Sequence, residues 1–345
     1  MNSPLIDIII PNRNKAAFLP RTLRSLREQT EARWRAIVID GDSTDGSQEI
    51  LRGAAARDPR FRVLTARPAS VTGLSLYRSW NHGLIHVRAP HFALLTSDDV
   101  WQPDWLRRAL DALAERPAAV AVAARAVSID ADDVVVGPTP ACRQFESSFP
   151  PDQSGRRVLS SNACALRALL FGPVFSTIHS LVLRSAILED GVLFPEDVGY
   201  LADVEYYLHT CLRGDIVYDT DCSALFRVYA TQESSVAKGP MVSRLWRKVV
   251  ERNRRPVARK LGIPIDEIIR ATEEILSRHH FIMSKPDRAT LRNSKATAFW
   301  RMAGACLNSP RLAMEYARCG ADRERFLAGH AVGVAQQLSA KHGIS

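Results

Sequence analysis

Through its first hundred residues the chain alternates short apolar runs with amphipathic stretches. Leu5 to Ile10 is continuous except for Asp7, and Pro11 closes it. Trp34 to Ile39, Phe61 to Leu64 and His91 to Leu95 repeat the pattern, and Ala118 to Ala124 is a fifth run whose alanines also allow a helix. Short, β-branched and bounded by Pro, Gly or Asp, these runs predict buried strands of a mostly parallel sheet. Between the first two, AFLPRTLRSLREQT places Leu19, Leu23 and Leu26 on one helical face, with Pro20 fitting the first helical position. Between the second and third, DSTDGSQEILRGAAARD predicts a helix introduced by polar capping residues. Strand alternating with helix is the pattern of a doubly wound α/β fold.

Asp130 to Asn162 is rich in Pro, Ser and Asp and weakly periodic, which predicts loops over the sheet. Beyond about Gly239 the chain becomes basic and rich in Ala and Leu, predicting helices. The division expected is a catalytic domain over 1–238 and a basic helical region over 239–345. Charge supports it: of a net +9 over 345 residues, Pro240 to Ser345 holds 20 Lys and Arg against 9 Asp and Glu. No apolar run approaches the roughly 18 residues of a membrane span. MNSPLIDIII lacks a basic stretch before its apolar run, so a signal peptide is not expected and a cytoplasmic place is. The six cysteines form no C-x-x-C pair and are expected as reduced thiols.

In open α/β sheets ligands bind beyond the carboxyl ends of the strands. Those ends carry PNRN (Pro11 to Asn14), DGDSTDGS (Asp40 to Ser47) and TSDDVWQPDW (Thr96 to Trp105). A dinucleotide site would place G-x-G-x-x-G at the first of these, and a P-loop needs G-x-x-x-x-G-K-[ST]; neither occurs. A diphosphate bound here needs another neutraliser. The carboxylates of Asp98 and Asp99 suit one, because hard oxygens take Mg2+ or Mn2+, which bridges phosphates. By itself the same pair reads equally as a cap for the helix of PDWLRRAL.

Taken in order, the segments resemble the family 2 glycosyltransferases of the GT-A fold. PNRN, the ID-G-DSTDGS turn, LLTSDDVWQPDWL, GLSLYRSWNHGL with Asn81-His82-Gly83, LADVEYYLHTCLRG and LFRVYATQESS match that family's motifs over roughly residues 4 to 238. The resemblance implies an α/β GT-A catalytic domain that moves a sugar, with inversion, from a nucleoside-diphosphate-sugar, UDP- or GDP-linked, to a hydroxyl acceptor in surface glycan or polysaccharide assembly. It places Pro11, Asn12, Asn14, Asp40, Gly41, Asn81 and Asp98 about the nucleotide-sugar, Asp98 and Asp99 at Mn2+ or Mg2+, and Asp203 as general base, with Glu205 close by. His179, after a small polar cluster, and Trp101, an aromatic that can stack on a sugar face, are candidates for the acceptor side, as is Arg227 in the last motif. The first two also have plainer readings: a hydrogen-bonded structural histidine and a packed tryptophan. Two departures stand out: Thr96 where many members carry a further Asp, and Tyr229 where the last motif usually has His.

Rival readings are a sugar-phosphate nucleotidyltransferase, disfavoured because PNRN replaces its Gly-rich loop, and a non-catalytic carbohydrate- or lipid-surface-binding protein on the same fold. In VSRLWRKVVERNRRP, Val242, Leu245, Trp246, Val249 and Val250 form one helical stripe with the cations mostly off it. Such a helix packs its stripe and solvates its charges, or it also meets anionic headgroups at the inner face of the membrane, which would suit a lipid-linked acceptor. No reader motif accompanies the charge, so nucleic acid is not expected as a partner.

Overall fold

A computed structural model describes residues 3–65, 74–148, 155–172, 177–229, 240–283, 310–318 and 323–344. The first unit comprises residues 1–164 and 173–232, the second 165–172 and 233–345. No described helix is long and apolar enough to cross a membrane.

In the first unit the apolar runs are strands. β1 (Ile6–Asn12), β2 (Trp34–Asp40), β3 (Phe61–Thr65) and β4 (His91–Leu94) pair in the order β3-β2-β1-β4, all parallel. Every residue of β1 is buried, as expected of a strand covered on both faces. Helices α1 (Leu19–Arg27), α2 (Ser47–Arg57) and α3 (Leu74–Leu84) form the crossovers. α1 begins at Leu19, one residue before the predicted proline, and buries Leu19, Leu23 and Leu26. The short β5 (Val100–Trp101) and α4 (Trp105–Glu115) follow.

Beyond β4 the sheet is mixed, not mostly parallel. β6 (Ala119–Ile129) is a strand despite its alanines. The segment 130–162, expected as loops, contains β7 (Val135–Pro138), α5 (Pro140–Ser148), β8 (Arg156–Leu159) and the start of α6 (Ser161–Phe171). Local chemistry explains the miss. Asp130 turns the chain by accepting the N–H groups of Asp132 and Val134, and Asp133 adopts φ 66°, so turn residues serve a hairpin between β6 and β7. β9 (Leu181–Arg184), α7 (Ala202–Cys211) and the long β10 (Asp215–Arg227) complete the unit. β9 runs antiparallel between β4 and β6, and β10 lies parallel to β6 and antiparallel to β5 and β8.

Asp7, the one polar residue in the first apolar run, is fully buried in β1. Arg35 grips both of its carboxylate oxygens at 2.8 Å, and the N–H groups of Arg88 and Ala89 bond one of them. Gly83 is required by space. A Cβ there would lie 2.1 Å from Ile9 Cγ2 and 3.6 Å from Ile39 Cγ1, because α3 presses on β1 and β2. Gly83→Ala should therefore cost about 1–3 kcal/mol by overpacking. A urea titration with an unchanged midpoint would show that the contact yields freely.

The second unit is helical: α8 (Pro240–Leu261), α9 (Ile265–Met283), α10 (Pro310–Arg318) and α11 (Arg323–His342), with residues 165–172 clustering among them. Of the α8 stripe, Trp246, Val249 and Val250 are buried and Val242 and Leu245 half-buried. Arg247 and Arg254 both pair with Glu273 of α9, so part of the positive charge is used inside the unit.

Candidate active site

The parallel register brings the first two loops together. Asn12 ends β1 directly opposite Asp40 at the end of β2. Asn12 Nδ2 donates to Asp40 Oδ1 at 2.8 Å, and Ser43 donates to Asp40 through its hydroxyl (2.7 Å) and its N–H (3.1 Å). Asn14, at φ 52°, donates its N–H to Ser43 Oγ and accepts the Thr44 N–H. Asn12 Oδ1 is buried and has no partner. A buried acceptor left open costs free energy, so this atom suits a donor group on a ligand. Pro11 is buried beside it in β1, and Gly41 donates its N–H to Asn12 O. A Cβ on Gly41 would make only ordinary contacts, 3.4 Å from Asn12 O and 3.5 Å from Arg13 Cβ, so sterics do not demand glycine there.

Asp98 and Asp99 do not cap a helix; α4 starts at Trp105, after Asp104. They occupy the turn after β4 and face different surroundings. Asp98, 7% exposed, accepts from Lys15 Nζ at 2.9 Å and from the Tyr229 hydroxyl at 2.7 Å, both on Oδ2. Asp99, 1% exposed, accepts the Arg227 N–H on Oδ1, while Oδ2 meets the Thr96 hydroxyl and lies 3.2 Å from His179 Nδ1. Burial, reinforced by the charge of Asp98, pushes the Asp99 carboxyl well above the usual range. Burial also lowers His179 to about 3, against the pull of Asp98, so its imidazole is neutral. Burial and then Asp98 push the Tyr229 phenol up to about 12. Lys15 loses basicity to burial but regains more from Asp98 and Tyr229, and ends above its usual value.

Asp203 lies in the first turn of α7, partly exposed. Burial raises its carboxyl to about 6, opposed by the Val204 N–H at 2.8 Å and the Tyr77 hydroxyl. Such a value suits a group that takes a proton near neutrality. Glu205 is fully buried and 4.0 Å from His209 Nε2.

Four expected site residues make their contacts within the protein. Asn81 uses both ends of its amide on the Phe194 backbone, at 2.9 and 2.8 Å, and so is engaged away from the Asp40 loop. Trp101 is in the core, its indole N–H on His179 O, and offers no open face to a sugar. His179 is 1% exposed and lies between Asp99 and the Thr177 hydroxyl. Arg227 is 1% exposed. Its Nε donates to Asp98 O (2.8 Å), and its Nη1 donates to Asp130 O (2.7 Å) and Ala131 O (3.3 Å). It also pairs with Asp133, so it clamps the Asp98 turn to the β6–β7 hairpin. The sequence reading missed Lys15, Ser43 and the placement of Tyr229; a lysine directly after PNRN was the available signal for the first.

Among the described residues no three His, Cys, Asp or Glu side chains gather into a metal cage. The donor set nevertheless fits one kind of ion. Two adjacent carboxylates, with Asp98 Oδ1 outside the bonds to Lys15 and Tyr229, are the hard ligands that Mg2+ or Mn2+ uses when phosphates and water complete its shell.

An α/β sheet with this order and flanking helices is the GT-A fold of glycosyltransferases. It superposes on S. aureus TarS 1-349 in complex with UDP-GlcNAc with a TM-score of 0.58 at 15% identity, covering 98% of this chain and 92% of that one. A mannosyltransferase from Pyrobaculum calidifontis, in complex with GDP-Man and Mn2+, superposes with a TM-score of 0.51 at 16% identity over 100% and 89% of the two chains. Residues 7–171 match the family model described as Glycosyl transferase family 2. A putative teichuronic acid biosynthesis glycosyltransferase, TuaG of Bacillus subtilis, is 32% identical over 116 residues, which is 34% of this chain and 44% of that relative.

Proposed function

We propose that the protein is a metal-dependent, inverting glycosyltransferase that moves a sugar from a UDP- or GDP-linked donor to a hydroxyl acceptor in surface glycan or polysaccharide assembly. The observation that carries this reading is the meeting of Asp40, the open Asn12 acceptor and Asp98 along one edge of the parallel strands. The Asn12–Asp40 group accepts donors from a base or ribose. Asp98 and Asp99 would hold Mg2+ or Mn2+, which supplies positive charge against the departing diphosphate. Asp203 takes the proton of the acceptor hydroxyl as its oxygen bonds the anomeric carbon and the bond to the diphosphate oxygen breaks. Relatives in this fold class are seen with UDP-GlcNAc and with GDP-Man and Mn2+, which supports the donor and metal classes. The catalytic domain in this reading is residues 1–238, followed by the basic helical region 239–345. The outward cations of α8 suit peripheral contact with anionic lipid at the inner membrane face, and a lipid-linked glycan as acceptor.

A thermal-shift screen of UDP and GDP with Mn2+ tests the donor site. Ligand at about 100 times its dissociation constant should stabilise the protein by about 2.7 kcal/mol. Turnover of a UDP- or GDP-sugar should stop in excess chelator and return with Mn2+; full turnover in chelator would remove the metal from the reaction.

A further inference from the structure

We propose that the Lys15 ammonium, held in the site by Asp98 and Tyr229, binds the diphosphate of the donor. The assignment rests on the nucleotide-sugar reading above and adds to it a protein cation. Lys15 follows PNRN in the turn between β1 and α1. Its N–H donates to Ser47 Oγ at 3.2 Å, and its neighbour Asn14 is tied to Ser43 and Thr44, so its backbone is fixed to the Asp40 loop. From there the side chain crosses to the other half of the site, where Nζ lies 2.9 Å from Asp98 Oδ2, against the Tyr229 hydroxyl. An ammonium has three donors, and these two partners take two of them.

Charge and exposure favour exchange onto a phosphate. The side chains of Lys15 and Asp98 are 27% and 10% exposed, so the pair lies at an opening rather than in the core. Ion pairs with access to water are weak, and a diphosphate offers more negative charge and more acceptor oxygens than one carboxylate. The chain also lacks the usual backbone cradle for phosphates, with PNRN where a Gly-rich loop would stand. The neutral Tyr229 hydroxyl bonds both Lys15 and Asp98 and steers the ammonium toward this edge.

The test is calorimetric titration of the full chain with UDP, GDP, uridine and guanosine, each with Mn2+ and again in excess chelator. Lys15→Met and Lys15→Gln should weaken the bound diphosphate by roughly 10- to 100-fold, the scale of a charge-assisted hydrogen bond. The matching nucleoside should bind unchanged, the loss should persist in chelator, and Lys15→Arg should restore most of it. Equal diphosphate affinity in wild type and Lys15→Met would overturn the assignment while leaving the donor reading in place. Failure of the wild type to bind either diphosphate would overturn the donor reading and this assignment with it. Equal losses for nucleoside and diphosphate would reveal a merely structural lysine and would also overturn it.

Discussion

Asp203→Asn should lower sugar transfer by about 10²- to 10⁴-fold, the usual worth of a general base, while leaving nucleoside diphosphate affinity unchanged. The wild-type profile carries its own signature. With the carboxyl raised to about 6 by burial, kcat/KM should fall as pH drops through that value, because the base must be ionised to accept a proton. The variant should lack that limb. Stability should move the other way. A carboxyl whose pKa is raised in the folded state adds stability below its unfolded value and loses it as pH climbs through the folded one. Asp203→Asn should thus melt above wild type at pH 7, with the difference fading below about pH 4. Full activity in Asp203→Asn, or a melting difference that ignores pH, would remove the residue from the role of base.

Loss of the Arg227 guanidinium should be the most damaging change to the scaffold. Arg227→Met strips partners from the carbonyls of Asp98, Asp130 and Ala131 and from Asp133, and exposes Phe18, which now lies 4.8 Å beneath the guanidinium. Leaving the buried Asp98 carbonyl without its donor alone costs about 1–3 kcal/mol. The Asp98 turn should loosen with it, so diphosphate affinity should fall in the same variant. Lysine should rescue little, since one ammonium cannot span acceptors that a planar fork reaches. Denaturant midpoints measure the first effect and calorimetry the second. A variant with a normal midpoint and only a raised KM for acceptor would return Arg227 to the acceptor side.

Period and punctuation made the first half of the sheet legible. The runs at Leu5, Trp34, Phe61 and His91 became β1 to β4, and the helix with Pro20 began where its proline allowed. Such strands are buried on both faces, so their composition alone marks them. The hairpin after β6 was hidden because Asp130 and Asp133 are turn formers whose purpose depends on the strands they join. In the site, the loops carrying Asn12, Asp40, Asp98 and Asp99 were legible as strand ends. Side-chain direction was not. Nothing in the spacing told that Trp101 would enter the core, that Asn81 would bind backbone, or that Lys15 would reach across 83 positions to Asp98. Those facts belong to packing, which a linear pattern does not encode.

The hold of Asn81 on Phe194 has a wider consequence. Phe194 stacks on Trp80 of α3 at 5.2 Å and on Tyr206 of α7 at 4.2 Å, so a ladder of rings ties α3 to the helix that carries Asp203. Asp203 itself lies past residue 171, where the family match ends. The segment that carries Asp203 is thus tied to the first part of the chain by these rings as well as by the bonds of Arg227, Tyr229 and His179 to Asp98 and Asp99. A piece from a relative exchanged for residues 177–229 should fold in place only if it brings a ring that fits Trp80, a backbone that Asn81 can grip, and the partners of Asp98 and Asp99 that His179, Arg227 and Tyr229 supply.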